Sequence, residues 1–262
     1  MAKVGRKLKR KSKRSFVASS LILKGGAGKT FTVYMLCEYI REKLNIKNSY
    51  FNQQLDKVLV CDLDSQISLI GNFEGFKNDR RTTFWIDKEK YGEKLYITHK
   101  LPTENQLEEF DFIIIDNSPE YEKVLQNKIM ILNTNIFMMP VNNLNALDRV
   151  DETINSIREI EDKAEKEYSE IVLIYIDTMH VHRLVREGII ASLKQKEKMY
   201  QKVKYHSHIH HTRKVSLAET LNEPLYKTLR TIKVGAECAN VSKYIINKCL
   251  RYYGYKATYM EK

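Results

Sequence analysis

The chain has 262 residues, 43% hydrophobic and 29% charged, with a net charge of +11. That size and balance suit a soluble α/β protein that buries its core without staples, and no apolar run approaches the roughly 18 residues of a membrane span. Cys37, Cys61, Cys238 and Cys249 show no CxxC spacing and read as reduced thiols of a cytoplasmic protein.

Residues 1–15 carry eight of the eleven net positive charges and no acid. Such a stretch cannot bury a core, so it is expected to be a flexible basic arm ahead of a single domain at 16–262. No secretory leader is expected, because the basic start is followed only by a short apolar run with no cleavage pattern. The stretch 101–170 is acidic and 194–262 is basic again. This asymmetry points to a polyanion partner, nucleic acid above all.

Phe16–Leu23 predicts a first strand. The glycine-rich run Lys24-Gly25-Gly26-Ala27-Gly28-Lys29-Thr30 follows. Val33, Leu36, Cys37, Ile40 and Leu44 then recur at helical spacing. Lys57–Leu63, Phe110–Ile115, Ile136–Met139 and Ile171–Ile176 are near-continuous apolar runs of the kind buried on both faces of a parallel sheet. Helical patterns run from Leu144 to about Tyr168 and from Val181 to about Tyr200. The stretch 71–106 reads as irregular. A short strand at Val203–Ile209 and a helix from about Glu237 to Tyr252 complete the pattern. The predicted class is α/β, a doubly wound, mostly parallel sheet flanked by helices, of the P-loop NTPase type.

Strand, glycine turn, helix is the context of a phosphate cradle. Glycines let backbone N–H groups point inward. Lys29 supplies charge for the phosphates, and the Thr30 hydroxyl is placed for Mg²⁺. The usual spacing puts glycine where Leu23 stands, and Lys24 precedes the Gly-Gly pair. Asp62 and Asp64 end a buried strand on one side of its pleat, able to serve a metal shell and to orient water. Taken alone they read as solvated turn residues; beside the loop the functional reading prevails. Phe112-Ile-Ile-Ile-Asp116 has the form of a Walker B strand.

In these motifs the chain resembles the ParA/Soj/MinD branch of P-loop ATPases, whose deviant loop reads Lys-Gly-Gly-x-Gly-Lys-[Ser/Thr]. Ile136-Phe-Met-Met-Pro140-Val resembles the family's strand ending in Pro-Val. Arg213-Lys-Val-Ser-Leu-Ala-Glu219 is similar to its Arg-Asn-Val-Arg-Leu-Ser-Glu segment. The resemblance spans about residues 16–250. It implies ATP and Mg²⁺ as cofactors, with the nucleotide held by Lys24, Gly25, Gly26, Ala27, Gly28, Lys29 and Thr30. Catalytic roles fall to Lys24, Lys29 and Asp64: Lys24 reaches across a nucleotide-sandwich homodimer, and Asp64 orients water. Gly25 lies at the close dimer contact. The metal set is Thr30, Asp62 and Asp116.

The implied activity is slow, partner-stimulated ATP hydrolysis by a DNA-partition ATPase. It would bind non-specific DNA in the ATP state and segregate a plasmid or similar replicon with a centromere-binding ParB-like protein, in the cytoplasm on the nucleoid and not at a membrane. DNA contacts would come from Arg213 and Lys214, from Lys202 and Lys204, and from Arg10 and Lys11 in the arm. The family's second arginine in that segment is Ser216 here, which weakens the site at that point. The span from Asp64 to Asp116 is short, so a family helix is expected to be missing there. The alternative is a MinD-like membrane-positioning ATPase, which needs an amphipathic basic C-terminal helix; Val241–Tyr253 fits this poorly. An iron–sulfur relative lacks its cysteine context, and a scaffold without activity would not need every motif carboxylate and lysine.

Two further patterns are weaker. His206, His208 and His210 alternate, which would put them on one strand face; a polar strand end is preferred to a metal site, since no carboxylate or cysteine pattern supports one. Tyr252, Tyr253, Tyr255 and Tyr259 fit helix-end packing better than stacking on bases.

Overall fold

The computed structural model describes residues 14–45, 55, 57–63, 83–85, 95–117, 128–178, 181–210 and 233–255. Statements below concern these alone. In chain order the elements are β1 (Phe16–Ser20), α1 (Lys29–Asn45), β2 (Val58–Asp62), β3 (Thr83–Trp85), β4 (Leu95–Thr98), α2 (Glu104–Glu109) and β5 (Phe112–Asp116). There follow α3 (Lys128–Asn133), β6 (Ile136–Val141), α4 (Leu144–Lys163), β7 (Glu170–Ile176), α5 (Arg183–Met199), β8 (Val203–Ile209) and α6 (Lys233–Tyr252).

The eight strands form one sheet in the order β3-β4-β2-β5-β1-β6-β7-β8. Seven run parallel, and β3 pairs antiparallel with β4 at one edge. β1, β2, β5 and β6 are buried along their whole length, as their continuous apolar runs require when helices cover both faces. Alternate residues serve two cores. Phe16, Ala18, Phe112 and Ile114 pack with α1 and α6 on one face. Val17, Ile113 and Phe137 pack with α2, α3, α4 and α5 on the other. The chain leaves β1 for the α1 face and returns to β6 through α3 on the opposite face. The carboxyl ends of β1 and β5 therefore flank a topological switch point, where ligands bind in open α/β sheets.

Four details differ from the expectations. β1 ends at Ser20; Leu21, Ile22 and Leu23 stay buried but already belong to the loop. The helix expected to reach Tyr168 stops at Lys163, where Glu165 takes a positive φ of 52°. The irregular stretch contains β4, β3 and the short helix α2, whose start is a capping box: Thr103 Oγ1 accepts from Gln106 N while Thr103 N donates to the Gln106 side chain.

The fourth difference concerns the histidines. The register of β8 on β7 shifts between Leu173 and Ile174, so that Tyr205 faces Leu173 and Ser207 faces Ile174. His206 is the extra residue of a bulge, which reverses the alternation beyond it. The His206 ring packs on Tyr244 of α6, whereas His208 packs on Tyr175 in the other core layer. The three rings do not share a face, and among the described residues no group of three or more His, Cys, Asp and Glu side chains could hold a metal ion.

The four cysteines are free and buried. The tyrosines at the end of α6 pack and bond locally. Tyr252 lies against Phe16, with ring centres 5.7 Å apart, and Tyr253 Oη donates to the Asp111 carbonyl at 2.6 Å. No helix is long and apolar enough to cross a membrane among the described residues. The apolar side of α6 is committed to the core through Val241, Ile245, Ile246, Cys249 and Leu250.

Candidate functional site

The glycine-rich loop joins β1 to α1 at the switch point. Gly26 and Gly28 hold φ values of 68° and 98°, a region open to glycine and strained for other residues. Gly28 is also sterically required, since a Cβ there would lie 2.8 Å from Ile176 Cδ1 of β7. Gly25 and Gly26 face solvent, and nothing lies within 4 Å of a Cβ built on Gly26. The upper surface of the loop is therefore open.

Several polar groups outside the loop hold it in shape. Asn142, directly after β6, donates from Nδ2 to the Gly26 carbonyl at 2.6 Å. Leu23 N donates to Thr153 Oγ1 of α4 at 3.3 Å. Ser20 Oγ donates to the Lys29 carbonyl at 3.3 Å, and Thr32 Oγ1 to the Gly28 carbonyl at 2.9 Å. Sequence reasoning missed Asn142 and Thr153. An asparagine after a strand and a threonine within an amphipathic helix carry no signal until the loop is seen against them.

Lys29 is only 6% exposed. Its ammonium lies inside the loop, donating to the Lys24 carbonyl at 2.8 Å and reaching the Ile22 carbonyl at 3.5 Å. Lys24 itself is half-buried, and Ala27 is buried. Thr30 is the second residue of α1 and partly exposed.

The carboxylates come from neighbouring strands. Asp62 and Asp116 are register partners on β2 and β5, and Asp116 is the partner of Ser20 on β1. Parallel strands lie about 4.8 Å apart, with in-register side chains on one face. Both carboxylates therefore stand side by side on the α1 face, almost fully buried. Burial, then the neighbouring charges of Glu38 and Asp116, push the Cys37 thiol well above its ordinary pKa. Burial and the charge of Asp62 do the same to Cys61. Asn117 fixes the strand ends together, donating from Nδ2 to Ser19 Oγ at 2.7 Å and to the Ser20 carbonyl at 2.8 Å.

The structure thus brings Lys24, Gly25, Gly26, Ala27, Gly28, Lys29, Thr30, Asp62 and Asp116 to one end of the sheet. Lys202 and Lys204 lie at the opposite end, at the start of β8. Lys202 is paired there with Glu167, and Lys204 stands over the Tyr244 ring at 4.5 Å. Asp64, Arg213, Lys214, Arg10 and Lys11 lie outside the described residues.

The sheet order, the loop and the paired strand-end carboxylates define a protein with the P-loop NTPase fold. No family model matches the sequence, and no curated protein matches it either. Solved structures do. The chain is similar to Cyanothece McdA in its apo form, at 13% identity and a TM-score of 0.62 over 88% of this chain and 99% of that one. It is similar to the cell-division protein MinD of Aquifex aeolicus, at 14% identity and a TM-score of 0.57 over 88% and 97%. It is also similar to pNOB8 ParA bound to nonspecific DNA, at 14% identity and a TM-score of 0.57 over 91% and 99%. Within its class, the fold is that of the ParA/MinD-type ATPases.

Proposed function

We propose that the chain is a DNA-partition ATPase of the ParA kind. ATP binding joins two copies into a sandwich dimer, the dimer holds non-specific DNA, and a ParB-like partner triggers slow hydrolysis and release. The observation that carries this reading is the junction of the Lys24–Thr30 loop with Asp62 and Asp116, in register at the switch point. Support also comes from structural neighbours: a Cyanothece McdA variant in complex with ATP, and the ParA held on nonspecific DNA.

The residues present fit a magnesium nucleotide. The loop offers an open glycine surface backed by a buried ammonium. Thr30, Asp62 and Asp116 form the all-oxygen set that Mg²⁺ prefers. Bound there, ATP supplies a transferable phosphoryl group and Mg²⁺ neutralises its charge. The chain's own part is to position and to compensate charge. Lys29 would bind the phosphates, Thr30 and Asp116 would hold the metal, and Asp62 stands beside Asp116. Asp64 orients water. Lys24, supplied across the dimer, adds positive charge where negative charge grows in the transition state.

Sedimentation with DNA or with anionic liposomes, each with and without ATP, tests the reading. ATP-enhanced DNA binding is expected. DNA binding indifferent to ATP overturns the switch, and ATP-dependent liposome binding would replace it with membrane positioning. Asp64→Ala is expected to yield ATP-bound dimers that hydrolyse poorly; normal turnover would remove Asp64 from catalysis.

A further inference from the structure

The end of the sheet remote from the phosphate loop carries the other concentration of charge. A groove of about 710 Å³ opens there, between the starts of β6, β7 and β8 and the last turns of α6. Lys166, Lys202, Lys204 and Lys248 line it, against only Glu167 and Glu170 among carboxylates. Lys166 is spent on structure, donating to the Thr134 carbonyl at 2.8 Å and to Ser169 Oγ at 2.7 Å. The other three have fewer partners: Lys202 donates to the Tyr168 carbonyl at 3.0 Å, and Lys248 lies 5.2 Å from the Tyr244 ring. Lys202 meets Glu167, whose side chain is 88% exposed and therefore easily displaced. Lys204 rests on the Tyr244 ring. Lys248 bridges Glu170 at 2.5 Å.

The basic arm is rooted beside this groove. Asn135, one of the lining residues, is joined to the start of β1 by two hydrogen bonds. Its N–H donates to the Val17 carbonyl at 2.9 Å, and its Oδ1 accepts from Val17 N at 2.7 Å. Tyr252, another lining residue, lies against Phe16. Tyr253 Oη accepts from Phe16 N at 3.1 Å. The chain therefore enters the fold beside the last turn of α6, one turn from Lys248, with β6 and β7 between it and the start of β8.

We propose that this groove and the root of the arm form a single surface for the phosphate backbone of duplex DNA, at the opposite end of the sheet from the nucleotide. The inference rests on the DNA-partition reading and gives it a location. Duplex DNA fits better than a membrane surface. Lys204 and Lys248, 4.5 and 5.2 Å from the centre of the Tyr244 ring, gather with Lys202 into a concave cluster of positive charge suited to phosphates, whereas the lining offers no exposed apolar wedge to enter a bilayer.

Full-length Lys202→Gln/Lys204→Gln/Lys248→Gln tests the assignment, measured by binding to a non-specific duplex across a salt series with ATP present. Removing one lysine–phosphate pair lowers the slope of log affinity against log salt by about 0.9. A drop of about 2 to 3 in slope is therefore expected, with nucleotide affinity unchanged. Glu167→Gln releases Lys202 and is expected to tighten DNA binding by up to about fivefold, the upper range for an exposed ion pair. An unchanged slope in the triple variant, with the unsubstituted protein still binding DNA, overturns the groove and leaves the DNA reading standing. Failure of the unsubstituted protein to bind DNA at any salt overturns both. Loss of binding to anionic liposomes, with DNA binding intact, assigns the groove to a membrane instead.

Discussion

The ammonium of Lys29 donates to the main-chain carbonyl of Lys24 at 2.8 Å, so the two lysines of the phosphate loop are tied to each other. One end of this bond is a nearly buried charge and the other is the backbone of a half-buried residue. On the proposed reading an arriving phosphate would compete for this ammonium, and the exchange would loosen the backbone that carries the Lys24 side chain.

Lys29→Ala removes the charged donor. A hydrogen bond to a charged group is worth about 1.5–3 kcal/mol, so ATP affinity is expected to fall by at least about 10- to 100-fold. Titration calorimetry with MgATP reads this directly. Lys29→Arg is expected to fail as well, because a planar guanidinium does not fit the space occupied by the compact ammonium. Retention of affinity in both variants would detach Lys29 from the phosphates.

Lys24→Ala separates binding from assembly. The side chain is half-buried, while the backbone carbonyl that receives Lys29 survives the substitution. Nucleotide affinity of the single copy is expected to stay within about threefold, since no interior hydrogen bond is removed. The ATP-induced dimer, followed by light scattering, is expected to disappear. A dimer that persists would return Lys24 to an ordinary loop role.

Gly28→Ala tests the seat of the loop on β7. The backbone holds φ at 98°, and the new methyl would stand 2.8 Å from Ile176 Cδ1. Strain of this kind costs about 1–3 kcal/mol. Ile176→Val removes the opposing atom, so the double variant is expected to recover the steric part and keep the dihedral part. Urea midpoints of the four proteins give the coupling. Strict additivity would show that the contact does not limit the loop.

Much of this geometry was legible in the sequence, for a physical reason. β1, β2, β5, β6 and β7 are buried on both faces, so they read as apolar runs whatever their neighbours do. The loop announces itself because its backbone requires glycine at Gly26 and Gly28, and Asp116 because a carboxylate ends a run of buried apolar residues. Elements with weaker burial were hidden. Leu95-Tyr-Ile-Thr alternates over only four residues, and α2 is six residues long, too short for a helical period. The bulge at His206 was beyond reach, because it depends on the register between β7 and β8 and not on either strand alone. Asn142 and Thr153 were missed because their partners are main-chain groups of a distant loop.

Glu161 anchors a buried ionic knot under the end of α4. Its Oε2 accepts from Arg158 at 2.6 Å, and its Oε1 accepts from Ser169 N at 2.9 Å and from Lys166 at 3.2 Å. Burial alone pushes this carboxyl up, but the Ser169 and Arg158 bonds and the charge of Lys166 outweigh it and hold the pKa below 4.5. A carboxylate with a depressed folded pKa stabilises the protein above its unfolded value, and that stability is lost as pH falls through the folded one. Glu161→Ala strands the buried Arg158 and takes one partner from the half-buried Lys166, and is expected to cost about 3 kcal/mol at neutral pH. The variant's acid transition is expected to show a shallower pH slope below 4.5 than the unsubstituted chain. Equal slopes would mean that Glu161 is not ionised in the fold.

The histidines of β8 give a second, separate pH window. Burial, then the charge of Lys204, lower His206 from 6.5, against a smaller opposing pull from Glu170. Burial, then the neighbouring His210 ring 3.8 Å away, lower His208 from 6.5; Asp177 and Glu237 oppose this and Arg186 reinforces it. A base with a lowered folded pKa binds its proton more readily in the unfolded chain. Stability is therefore complete above 6.5 and declines as pH falls from that value toward the folded pKa. A loss of stability is therefore expected as the pH is brought from about 7.5 to 5.5. His206→Gln/His208→Gln removes both titrating rings and keeps polar groups of similar size. Its urea midpoint is expected to start lower at about pH 7.5, because the ring packing against Tyr244 and Tyr175 is gone, yet to change less as the pH is brought down to about 5.5. If the variant and the unsubstituted chain lose stability in parallel over this range, these two imidazoles are not the groups that titrate, and the pH dependence belongs to another histidine.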